Sequence, residues 1–159
     1  MANEFVSIKE LRLKYPKVIQ KYEELLLQQV QKTKMNDPAS IGKYLLSQGL
    51  GDFDSEQFWV LNFDNQLQLK SLTKLYSGCA NAATIRYAEV FRQAIIENCP
   101  RITIAHNHPT GILMPSYDDI KTTQALFKAG KLLDIDLIDH FIVGNGAWYS
   151  MQEHGLVTE

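Results

Sequence analysis

Two short segments constrain the fold more than anything else in the chain: RITIA at 101–105 and IDLIDHFIV at 135–143. Strands that are apolar along nearly their whole length are those buried on both faces, whereas a half-exposed strand alternates with period two. Between these segments, residues 118–133 read as a helix. Upstream, EQFWVLNFD from Glu56 is an aromatic and branched run, Asp64-Asn65 marks a turn, and QLQLKSL alternates, which predicts a hairpin. Residues 83–98 predict an amphipathic helix carrying Ile85, Val90, Phe91, Ala94 and Ile95. After Val143, Asn145-Gly146 predicts a tight turn into AWYSM. Strands interleaved with helices, the central strands wholly apolar, imply an α/β layered domain whose sheet is covered on both faces.

A helical lead-in precedes this pattern. Residues 5–33 place Ile8, Leu11, Val18, Ile19, Tyr22, Leu25, Leu26 and Val30 near a 3.6-residue period, and Pro16 splits the run into a short helix and a longer one. Asn36-Asp37-Pro38 starts a further helix, with Asp37 as N-cap and Pro38 at the first helical position, and Gly49 stops it. The chain therefore reads as an N-terminal helical segment over 1–35 and one domain over 36–159, and 159 residues suffice for one sizeable core.

Composition excludes several classes. Hydrophobic residues at 45% and charged residues at 21% exclude wholesale disorder. No apolar run approaches the roughly 20 residues of a membrane-spanning helix. The opening MANEFVSIKELRLKYP puts charges where a signal peptide needs its apolar stretch. Two cysteines, Cys79 and Cys99, cannot make a disulfide framework, so a cytoplasmic location is expected. Residues 1–34 hold seven Lys/Arg against four Asp/Glu in a chain of net charge -2. That is the density of a solvated helix face, not of a nucleic-acid arm.

The chemistry is concentrated in His106-Asn107-His108-Pro109 and, six residues on, Ser116-Tyr117-Asp118-Asp119. The histidines sit where the 101–105 strand is expected to run out into a loop. Side chains two apart on an extended segment point to one side, so both imidazoles can reach one ion. Asp119 opens the following helix and can return as a third ligand. Two neutral imidazoles and a carboxylate suit Zn²⁺, one per chain, and three protein ligands leave the fourth tetrahedral position for water. Ser116 and Asp119 taken alone are also a capping box. What shifts the weight is coincidence: two of only four histidines flank one residue, beside a proline and a cap carboxylate. Pro109, Gly111 and Pro115 stiffen the loop, as preorganised ligands require.

HNHPTGILMPSYDD resembles the H-x-H-P-x6-S-x-x-D motif of JAMM (MPN-type) zinc metalloproteases. EQFWVLNFD, the Gly78 after the hairpin, the HNHP-x-G loop and DHFIVG are similar, in order and spacing, to the bacterial RadC-type branch over roughly residues 36–157. The resemblance implies a mixed β-sheet sandwiched between helices, the three-layer JAB/MPN and cytidine-deaminase-like architecture. It implies one zinc held by His106, His108 and Asp119, with Glu56 acting through the metal-bound water and Ser116 helping to stabilise an oxyanion. The implied reaction is hydrolysis of a peptide or isopeptide bond in a peptide or protein substrate. Without the resemblance, Glu56 reads as a solvated strand end.

The chain also departs from that branch. RadC-type chains commonly carry a helix-hairpin-helix DNA-binding segment ahead of this domain, and residues 1–35 show no pair of short helices joined by a Gly-bearing hairpin. A DNA-associated repair or mobile-element accessory module is the alternative function, supported by the basic N-terminal segment alone. The His-Pro-Arg-Glu tetrad of the branch appears as Arg86-Tyr87-Ala88-Glu89, keeping only the glutamate. A metal-binding scaffold without catalysis is a third reading, against which stands the presence of every motif residue. His140 reads as a hydrogen-bonded core residue or a partner of a ligand. His154 reads as surface, Cys99 as a small buried apolar residue and Cys79 as near a turn. Asp118 and Glu89 are the next carboxylates to consider as base.

Overall fold

The computed structural model describes residues 8–30, 35–78 and 85–158. Helices α1 (Ile8–Lys14) and α2 (Pro16–Val30) break at Tyr15, where Pro16 removes a backbone donor. Three of their basic residues are held by carboxylates: Arg12 by Glu23 at 2.7 Å, Lys21 by Glu24 at 3.7 Å and Lys9 by Asp54 at 3.8 Å. Their apolar period does not become a buried stripe, since Val18, Tyr22 and Leu25 are exposed. Helix α3 (Pro38–Ser47) starts as its cap signals require, with Asp37 Oδ1 accepting the Ser40 N–H at 2.8 Å.

The sheet contains β1 (Gln57–Phe63), β2 (Leu69–Ser77), β3 (Arg101–Asn107), β4 (Asp136–Gly144) and β5 (Ala147–Ser150) in the order β2-β1-β3-β4-β5. It is mixed. β1 lies antiparallel to β2 and β3, β3 and β4 run parallel, and β5 returns antiparallel to β4. The hairpins close through short turns, including Asn145-Gly146 with φ of 50° and 71°. The parallel pair instead needs a crossover, which α5 (Tyr117–Leu133) supplies.

Every residue of β1 is buried, and its alternation divides the core into two layers. Trp59, Leu61 and Phe63 face α3 with Tyr44, Leu45, Phe141 and Val143. Phe58 and Val60 face α5 and α4 (Tyr87–Ile96) with Phe91, Ile102, Ile104 and Leu126. A mixed sheet between helices is thus the architecture. None of the described helices is long and apolar enough to cross a membrane.

Several boundaries differ from the sequence reading, among them β2, which runs over Leu69–Ser77 where the alternating segment is 66–72. β3 continues through Asn107, two residues past the expected end, because His106 and Asn107 keep ladder partners on β4 and His106 also pairs with Phe58. Helix α4 begins at Tyr87 and ends at Ile96 rather than spanning 83–98, and Ile95 is exposed. Arg86 stays extended as N-cap, its N–H donating to the Tyr76 hydroxyl at 3.0 Å, while that hydroxyl donates to the Glu89 carboxylate. Glu89 is thereby engaged in tying α4 to β2. Cys79 and residues 83–84 lie outside the described residues.

Candidate metal centre

His106 occupies the last turn of pairing on β3, between Phe58 and Ile142, and is nearly buried. The chain then leaves the sheet along the end of β4: the His108 N–H donates to the Val143 carbonyl at 2.9 Å, and the Gly111 N–H to the His108 carbonyl at 2.8 Å. Gly111 takes φ of 77°, a conformation costly for other residues. A Cβ on Gly144 would meet Gly111 Cα at 3.0 Å and the His108 oxygen at 3.1 Å, so glycine there lets the loop sit directly on the strand. The loop delivers Ser116 as N-cap of α5 and Asp119 in its first turn.

These elements bring together the atoms the spacing calls for. His106 Nε2 lies 2.9 Å from His108 Nε2 and 3.1 Å from Asp119 Oδ1, and His108 Nε2 lies 3.4 Å from Asp119 Oδ2. A tetrahedral zinc with bonds near 2.0–2.1 Å has ligand–ligand edges of roughly 3.3 Å, close to these separations, although the two to Asp119 end on different oxygens. Among the described residues no other His, Cys, Asp or Glu joins the group.

Hydrogen bonds decide which nitrogens face inward. His108 Nδ1 donates to the Ile112 carbonyl at 2.6 Å, leaving the Nε2 lone pair toward the cluster. The Thr123 hydroxyl donates to the Asp119 carbonyl at 2.6 Å and so accepts from His140 Nδ1, also at 2.6 Å. His140 Nε2 is then an acceptor, and takes the Nδ1–H of His106 at 2.8 Å. His106 Nε2 therefore also turns a lone pair inward. Two lone pairs and a carboxylate facing one another are mutually repulsive until a cation joins them. That donor set is one that could hold a metal ion.

The charges follow the same logic. Burial pushes the Asp119 carboxyl up, but with a proton between the rings and the carboxylate in place of a metal, hydrogen bonds from His106 and His108 outweigh it and hold the carboxyl far below the usual range. Asp119 in turn raises the His108 pKa against the effect of burial, with a smaller contribution from Glu56. Proton and metal compete for the same nitrogen. Burial, reinforced by the neighbouring His106, keeps His140 well below its ordinary pKa and hence neutral.

The Ser116–Asp119 capping box is present in full. Asp119 Oδ2 accepts both the Ser116 N–H and its hydroxyl at 2.7 Å, and the Asp119 N–H donates to Ser116 Oγ at 3.1 Å. The cap thus holds one carboxylate oxygen while the other turns toward His106. Glu56 precedes β1. Continuing the Phe58–His106 register by two residues sets it opposite His108, consistent with its electrostatic contact there, but it does not enter the ligand group. His154 is exposed and stacks on Tyr149, and Cys99 is buried. Thr123 escaped the sequence reading. Its position one helical turn after Asp119 was the available signal.

Residues 35–156 match the model of the RadC-like JAB domain family. A UPF0758 protein of Chloroflexus aurantiacus is 38% identical over 125 residues, covering 79% of this chain and 54% of that protein. UPF0758 proteins of Roseiflexus castenholzii and Stenotrophomonas maltophilia are 40% identical over 107 residues and 37% identical over 123 residues. These alignments cover 67% and 77% of this chain, and 46% and 52% of the relatives. The chain thus spans about half the length of the curated relatives it matches. With the sheet, the crossover helix and the His-His-Asp cluster in place, the match extends over most of the chain, which belongs to the RadC-like JAB domain family.

Proposed function

We propose that the chain is a zinc-dependent hydrolase of the JAMM type, acting on a peptide or isopeptide bond. The observation that carries this reading is the convergence of two imidazole lone pairs and one carboxylate, with no fourth protein ligand among the described residues. A zinc ion held there supplies a Lewis acid and lowers the pKa of a coordinated water to about 7. His106, His108 and Asp119 hold the ion. His140 and Thr123 orient His106, and the Ile112 carbonyl orients His108. Glu56 takes a proton from the attacking water and returns it to the leaving nitrogen. The exposed Ser116 hydroxyl, which donates to Asp119 Oδ2 in the resting chain, turns from that oxygen to the substrate carbonyl oxygen as charge develops there. Ile112 and Met114 on the loop and Tyr117 at the start of α5 are exposed, and offer apolar surface to a peptide.

The decisive experiment pairs metal analysis of the dialysed protein with a panel of peptide and isopeptide substrates. About one zinc per chain is expected. His106→Ala and His108→Ala should each lose metal and activity together, and full zinc retention in both variants would sink the site. The rival reading, a DNA-associated accessory module, rests on the basic N-terminal segment, part of whose charge is spent in ion pairs. Tight, salt-dependent DNA binding by a zinc-loaded protein inert on the panel would favour it.

A further inference from the structure

Asn107, the residue between the two histidines, is fully buried, and strand alternation points its side chain to the opposite face of the sheet. There its carboxamide makes three hydrogen bonds to one short segment. Oδ1 accepts the Gln57 N–H at 2.6 Å, while Nδ2 donates to the Ser55 carbonyl at 3.1 Å and the Phe53 carbonyl at 3.2 Å. These contacts bracket Glu56. The Glu56 carbonyl is itself taken by the Gly78 N–H at 2.8 Å, so the backbone is gripped at and on both sides of that residue. The half-buried Glu56 carboxylate, by contrast, has no hydrogen bond or ion pair among the described residues.

We propose that Asn107 is a positioning residue for Glu56, locking the segment that carries the carboxylate to the strand that carries the metal-ligating histidines. The proposal rests on the reading of Glu56 as the base of the site. The chemistry singles out a carboxamide. Aspartate would set oxygen against two carbonyl oxygens, and an aliphatic residue would leave one N–H and two carbonyls unpaired in the interior. One dipeptide step of β3 thus serves two purposes: His106 and His108 face the ion, and Asn107, facing away, fixes what approaches it.

The test uses the full chain loaded with cobalt(II), whose visible absorption reports the pH at which the metal-bound solvent ionises, together with hydrogen exchange on the metal-free chain. Glu56→Gln should move the cobalt midpoint by about half a pH unit or more, because a neighbouring charge is removed. Asn107→Ala should keep about one metal per chain, raise exchange at the Gln57 amide by roughly tenfold or more, and move the midpoint in the same direction. The double variant should move it no further than Glu56→Gln alone, which a merely structural role would not produce. Should Asn107→Ala fail to fold, Asn107→Ser, whose hydroxyl can keep part of the network, should show the same pattern at smaller amplitude. A shifted midpoint in Glu56→Gln with a wild-type midpoint in the Asn107 variants would overturn the positioning role while leaving Glu56 in place. A wild-type midpoint in Glu56→Gln itself would remove Glu56, and this proposal with it.

Discussion

His140 Nε2 lies 2.8 Å from His106 Nδ1, so an imidazole that never reaches solvent determines which nitrogen of its neighbour faces the metal site. Replacing it with leucine keeps much of the volume and removes the acceptor. His140→Leu should weaken zinc binding by roughly 10–100-fold although His140 is not a ligand. Competition against a chelator of known affinity reads this directly. Unchanged affinity would mean that His106 keeps its orientation without help.

Glu56→Gln keeps the shape and reach of the side chain and removes its basicity. Zinc content should stay near wild type while turnover on a cleaved substrate falls by a factor on the order of 10²–10⁴. Folding stability should change little, or rise slightly. Turnover at the wild-type rate would take Glu56 out of the mechanism and direct attention to Asp118, since Glu89 is engaged by Tyr76 and Arg86.

Ser116→Ala removes two things at once, a helix cap and a hydrogen bond to Asp119 Oδ2. Loss of the cap should cost about 1 kcal/mol, measured by denaturant unfolding. If the hydroxyl also stabilises an oxyanion, turnover should drop by roughly a hundredfold. Both effects are expected together. A rate within about twofold of wild type would leave only the cap.

Asp139 gives a pH prediction away from the metal. Burial pushes its carboxyl up from 3.8 to about 6, despite hydrogen bonds from Ser150 and the Gln152 and His140 amides. A raised acid binds more protons folded than unfolded between those two values. Its contribution to stability is therefore full at low pH and declines as pH rises from about 4 to about 6, by on the order of 3 kcal/mol. Asp139→Asn, whose amide can keep those partners, should abolish that slope and leave the protein at least as stable near pH 7. A slope unchanged in the variant, followed by urea unfolding across the range, would assign it to another group.

The candidate cluster was legible because it is local. His106, His108 and Asp119 sit close together in sequence, and strand and helix geometry alone point them at one another. The strand ends were harder. β3 runs on through His106 and Asn107 because ladder pairing buries them, and hydrophobicity has no part in it. His140 was legible as a hydrogen-bonded core residue, but its partner His106, 34 positions away, was not, and the contact of Asn107 with Gln57 across 50 positions left no signal at all. Such contacts depend on strand order, which no local pattern encodes. Val18, Tyr22 and Leu25 mark the opposite failure, where a helical period made a helix without burying that face.

The loop seated on the end of β4 has one more consequence, for what happens when the ion leaves. The three donors lie within one short stretch, His106 near the end of β3, His108 on the loop and Asp119 in the first turn of α5, which the Val143 carbonyl and the cap at Ser116 anchor independently. Closing so short a ring removes little freedom from the unfolded chain. An ion there would close one short stretch, from the end of β3 to the first turn of α5, and would not cross-link distant parts of the molecule. Chelation should therefore lower the melting temperature by only a few degrees without abolishing cooperative unfolding, and reloading should need no refolding. A metal held this way would be lost and regained with the domain around it still folded.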